Sequence, residues 1–110
     1  MGIVHIVMFE FKPEVGSETV KDVCDRMLAL KDQCLHPETK KPYIKSSLGG
    51  RDISIENIQH GITHAFVVEF ENEADRNHYV KEDPAHLAFV KSIGQHVTKA
   101  QVIDFVPGAL

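Results

Sequence analysis

Hydrophobic and polar positions alternate clearly enough along the chain to predict its elements. In the run Ile3 to Phe11 one alternating set is Ile3, His5, Val7, Phe9 and Phe11, and the other is Val4, Ile6, Met8 and Glu10. A run so rich in β-branched and aromatic residues predicts a strand, apolar on both faces. Lys12-Pro13 ends it, because proline brings no N–H to a ladder. Gly16-Ser17 then opens a helix with Ser17 as the expected N-cap, and Val20, Val23, Cys24, Met27, Leu28 and Leu35 recur as its apolar stripe. Pro37 and Pro42 bracket a polar loop, and a weaker strand runs from Tyr43 to Asp52. The Gly49-Gly50 pair inside it implies a bulge or a close backbone approach.

Thr63 to Phe70 is a second strong strand, with His64, Phe66, Val68 and Phe70 on one face. Asn72 is placed to cap a short helix that must stop at Asp83, since Pro84 disfavours a helical residue before it. Asp83-Pro84 is itself a start signal, and the helix it opens carries His86, Phe89, Val90, Ile93 and Val97 at helical spacing. A last strand is predicted over Ala100 to Val106. The order β-α-β-β-(αα)-β is that of an α+β, ferredoxin-like protomer, a four-stranded antiparallel sheet with helices on one face, in a single domain over residues 1–110.

Helices on one face leave the other face bare, yet Val4, Ile6, Met8, Ala65 and Val67 belong to it. Leaving five such side chains wet would forgo several kcal/mol at ~25 cal/mol per Å², comparable to the whole stability margin. The simplest cover is a second copy, sheet against sheet, so a homodimer is expected.

Composition narrows the partners. With 43% hydrophobic and 25% charged residues the chain is ordinary globular protein, and its net charge of -4 comes with no basic patch, so neither nucleic acid nor an anionic membrane is expected as a partner. No apolar stretch is long enough to span a bilayer, and no leader is visible. Cys24 and Cys34, ten residues apart on one expected helix, point to different faces and are not expected to bridge, which suits a reducing, cytoplasmic setting.

Seven histidines are the one compositional excess. The topology directs His5 and His64 to the helix-covered face of the sheet and places His86 on the apolar stripe of the last helix. An imidazole in the first turn of a helix is disfavoured in its protonated form by the dipole, and a neutral imidazole is what a general base requires. Tyr79 on the preceding helix is placed to orient that base or to hold an oxyanion. Val7, Phe9, Phe66, Val68 and Phe89 are then expected to line an apolar ligand pocket between sheet and helices. The same histidines also fit hydrogen-bonded core positions, and Tyr79 a core-edge aromatic. His60 and His64 are four apart but lie in a loop and a strand, so no metal is expected, and no phosphate loop, nucleophile elbow or nucleotide fingerprint implies a cofactor.

Gly2-Ile3-Val4-His5-Ile6-Val7, Gly61-Ile62-Thr63-His64, Tyr79 followed by Asp83-Pro84-Ala85-His86, and Ile103-Asp104-Phe105 together resemble the stress-responsive dimeric α/β barrel domain family, in a version similar to those of fungi. The resemblance covers nearly the whole chain and implies a ferredoxin-like protomer whose sheet packs on a partner. Some members are stable stress proteins, and one is a plant polyketide cyclase that forms olivetolic acid by an aldol-type ring closure. The resemblance to that cyclase implies His86 as base, Tyr79 as its partner, and His5 and His64 as further site residues. Tyr79 precedes His86 by seven residues where the cyclase has six, and about 100° of helical phase separates the two spacings. Asp83 stands where the cyclase has histidine, and Cys24 and Met27 replace its pocket aromatics.

Overall fold

The computed structural model describes residues 2–110. The elements are β1 (Ile3–Phe11), α1 (Ser17–Gln33), β2 (Ile44–Arg51), β3 (His64–Phe70), α2 (Glu73–Lys81), α3 (Pro84–Ile93) and β4 (Val97–Phe105). The four strands form one antiparallel sheet in the order β2-β3-β1-β4. Among the described residues no helix is long and apolar enough to cross a membrane.

Several boundaries differ from the pattern-based expectation, most by a single residue, and three of them bear on the packing. Gly16, not Ser17, is the N-cap of α1, and it contributes no side-chain bond. Leu35 lies beyond α1, exposed, in an isolated bridge to Pro42, so the stripe ends at Leu30 and the fully buried Cys34 is the C-cap. Val97 is the first residue of β4 rather than the last of α3; the helix stops at Ile93, and Gly94 to His96 make the turn. Backbone pairing overrides helical spacing here: Val97 lies opposite Phe11, and His96 O accepts the Lys12 N–H at 2.9 Å.

Register sorts the side chains into two faces. Val7 pairs with Phe66 and His5 with Val68, and these, with Ile3, Phe9 and Phe70, meet Val23, Met27 and Leu30 of α1, Tyr79 of α2, and Phe89 and Ile93 of α3 in one core. The opposite face carries Val4, Ile6, Met8, Ala65 and Val67, extended at its edges by Leu48, Ile103 and Phe105. Leu48 and Ile103 are 70% and 57% exposed in the protomer, an apolar sheet surface without a cover. The helices lie over β2, β3 and β1 and reach β4 little, so Val102 on its helix-side face is also exposed.

Of the two readings open for Gly49-Gly50, close approach holds at Gly49; the irregularity in β2 falls earlier, between Ile44 and Ser46. A Cβ on Gly49 would fall inside the Phe66 ring, whereas one on Gly50 meets nothing within 4 Å. Phe66 is 1% exposed and has no room to yield. Gly49→Ala is therefore expected to destabilise by about 1–3 kcal/mol and Gly50→Ala by under about 0.5 kcal/mol, measured by urea unfolding.

Candidate functional site

The site begins at the break between α2 and α3. Asp83 ends the helical path, and its side chain caps α3 by accepting the Ala85 N–H at 2.9 Å and the His86 N–H at 3.4 Å. Its second oxygen accepts the Tyr43 hydroxyl at 2.6 Å. At 1% exposure this carboxylate has exchanged water for protein donors. Burial and the bond to Asp83 push the Tyr43 phenol pKa upward, so it remains a donor. Burial first, then Asp83, raises the Cys34 thiol to about 12, which leaves it an inert neutral group; both cysteines are free.

The capped start of α3 sets His86 over Tyr79. Their rings stack at 3.8 Å, and His86 Nδ1–H donates to the Tyr79 carbonyl at 2.7 Å. In one continuous helix the seven-residue spacing would have fixed their relation by helical phase alone. The non-helical Glu82-Asp83 link resets that phase and brings the rings face to face. Because a carbonyl can only accept, Nδ1 carries the proton and Nε2 the lone pair. Burial lowers the His86 pKa, with a smaller push from His5, and only partly opposed by the bond to Tyr79. Tyr79 itself is fully buried, its pKa raised by burial, with its ring against His5, Phe70 and His86. Its hydroxyl therefore does not reach the opening on which His86 lies.

His5 reaches the same place from β1. Its partner across the ladder in β4 is Asp104, and His5 Nδ1–H donates to Asp104 Oδ1 at 2.6 Å. Arg76 of α2 holds the other carboxylate oxygen at 2.7 Å through Nη1. His5, Arg76, Asn77, Lys81, His86 and Asp104 share an opening of about 520 Å³ between α2, α3 and β4. The sequence offers Asp104 only as part of the Ile103-Asp104-Phe105 motif, and neither it nor Arg76 is given a site role there. The register that sets Asp104 opposite His5 was needed to find them.

His64 is elsewhere. It pairs with Phe9, four residues along β1 from His5, roughly 13 Å at the rise of a strand. Its ring contacts Phe11, and Nδ1 lies 2.8 Å from Thr63 Oγ1. Burial, then the charge of Arg51, lowers its pKa. The expected convergence of three histidines thus reduces to two. The expected lining changes as well: Val7, Phe9, Phe66, Val68 and Phe89 are all at most 7% exposed and fill the core. None of them borders the openings at His86 or His64; their side chains pack against each other and fill the volume a pocket would need. A cavity between sheet and helix does exist, but one layer further along, where Phe11 and His64 face α1. Among the described residues no group of three or more His, Cys, Asp and Glu side chains is placed to hold a metal.

The lowering of the His86 and His64 pKa values beneath that of an ordinary imidazole has a definite consequence. The unfolded chain binds more protons than the native one as pH falls through 6.5, so both groups contribute stability that is complete above that value and lost beneath it. Urea midpoints are expected to fall between about pH 7 and pH 5, with a shallower fall in His86→Gln. Parallel curves for the two proteins would contradict this.

Residues 3–107 match the Stress responsive A/B Barrel Domain family. The stress-response A/B barrel domain-containing protein HS1 of Arabidopsis thaliana is 29% identical over 103 residues, spanning 94% of this chain and 87% of that one. A crystal structure from the same plant superposes with a TM-score of 0.83 at 28% identity, over 98% of this chain and 97% of the other. A hydroxynitrile lyase from Passiflora edulis (TM-score 0.84, 21% identity, 99% and 95% covered) and a dimeric ferredoxin-like protein from Thermobifida fusca (0.74, 23%, 96% and 91%) share the fold. With the family match running almost end to end on the architecture described above, this chain belongs to the stress-responsive A/B barrel domain family.

Proposed function

We propose that the protein is a homodimer in which each protomer uses His86 as a general base on a small carbonyl compound. The observation that carries the catalytic part is the fixed, neutral imidazole of His86. Its Nδ1–H is committed to the Tyr79 carbonyl, and burial favours the uncharged ring, so Nε2 is a lone pair held beside an opening. In the step envisaged, a C–H bond next to the carbonyl breaks, the proton passes to Nε2 and the electron pair moves onto the carbonyl oxygen as an enolate. Arg76, Asn77 and Lys81 border the same opening and supply donors for that oxygen. His5, anchored by Asp104, fixes the floor on which Tyr79 and His86 rest. Tyr79 then serves as a positioning residue, and His64 lies outside this centre. Aldol-type ring closure, as in a polyketide cyclase, begins with such a proton transfer.

The filled core between the two openings favours a second reading, a non-catalytic and very stable dimer. Dimerisation through Val4, Ile6, Met8, Ala65 and Val67 is supported by the apolar sheet surface that each protomer leaves bare and by the dimeric state named for the Thermobifida fusca neighbour. Two free thiols suit a reducing compartment such as the cytoplasm.

Proton abstraction can be tested without knowing the substrate, by following α-deuterium exchange from a methyl alkyl ketone in D2O by proton NMR. The wild-type protein is expected to accelerate exchange, with a rate that rises with pH through a midpoint below 6.5, and His86→Gln to lose on the order of a hundredfold or more. Equal rates in both proteins would leave the non-catalytic reading. For the assembly, sedimentation velocity is expected to give a dimer for wild type and a monomer for Ile6→Asp; a wild-type monomer would refute the interface.

A further inference from the structure

The opening at His64 is a separate cavity of about 540 Å³, within the range of small-molecule sites of roughly 300–1,000 Å³. It lies between the first two turns of α1 and the ends of β1, β2 and β3, with Phe11, Val15 and Val20 as its apolar wall. The ionisable groups at its rim are all basic or neutral: Lys21, Arg51 and His64 border it, with Cys24, and no Asp or Glu does.

The charges at this rim differ in how they are used. Lys21 is taken up by Asp25 at 2.6 Å on the surface of α1. Arg51 forms no ion pair among the described residues. The carboxylate next to it in sequence, Asp52, is committed to Gln59 Nε2 at 2.7 Å and the Ser54 N–H at 3.0 Å. The positive charge of Arg51 is felt inside the cavity, where it disfavours a proton on His64. Paired with His64 across the β2–β3 ladder, Arg51 sits on the same helix-side face as the cavity.

From this arrangement we infer that the cavity binds an amphiphilic carboxylate, with the acid group on the Arg51 guanidinium and an apolar chain along Phe11, Val15 and Val20. A guanidinium presents two parallel N–H donors that match a carboxylate, and an apolar chain gains from every methylene removed from water. His64 adds a polar contact beside the head group: Nδ1 is occupied by Thr63 Oγ1, which leaves Nε2 free for the ligand. Burying an acid tail against an apolar wall needs a cation at one end only, and the cavity has that polarity. The site is independent of the proton-transfer reading, since the buried Val7 and Phe66 lie between it and His86.

Isothermal titration of the full chain with sodium decanoate tests the inference, with decanol as the uncharged control. Saturable binding of decanoate is expected, at least tenfold tighter than decanol. Arg51→Gln, a change at an exposed side chain, is expected to weaken decanoate about tenfold while leaving decanol unchanged. Cys24→Phe, which fills the cavity, is expected to abolish both, and His86→Gln to alter neither. Absence of saturable binding overturns the inference, as does indifference to Arg51→Gln. Loss of binding in His86→Gln would move the ligand to the other opening and overturn it equally.

Discussion

A carboxylate cut off from water organises this fold at the break between α2 and α3. Asp83 is 1% exposed, and left alone there it would be a large liability. It is tolerated because three donors converge on it: the Ala85 and His86 N–H groups at the start of α3 and the Tyr43 hydroxyl from the approach to β2. Those bonds tie the break between two helices to the edge of the sheet. Helix α3 consequently starts at a defined point and angle, and the Nδ1–H of His86 meets the Tyr79 carbonyl. The placement and tautomer of His86 thus follow from how one aspartate is satisfied.

The second anchor is the register of β1 against β4. Pairing His5 with Asp104 puts an imidazole and a carboxylate in contact on the helix-side face, and Arg76 reaches across from α2 to the remaining oxygen. A shift by one residue would put Ile103 or Phe105 opposite His5 and turn the pair apart. The apolar positions of the same strands prevent the slip, since it would exchange the core face for the bare one.

The elements were legible because their patterns are local. The double apolar alternation of Ile3 to Phe11 and the cap-and-proline signal of Asp83-Pro84 predict β1 and the start of α3, and both are observed. The site was legible only in part. His5 and His86 were read as neighbours from the topology, but His64 was placed with them because shared sheet face does not reveal distance along a strand. Phe9 and Phe66 were expected at a pocket wall, yet apolar residues on a covered face fill space as readily as they enclose it. Asp104, visible only as part of a motif, and Arg76 gain a site role only from partners 99 or 28 residues away in sequence.

Gly49 and Phe66 carry a consequence for reach. The ring of Phe66 rests where any side chain at position 49 would have to go, and with Val7 it forms a wall between the His64 and His86 openings. The protomer is in effect two short rooms rather than one long gallery. The depth of each opening is therefore set by that wall, and not by the width of either mouth.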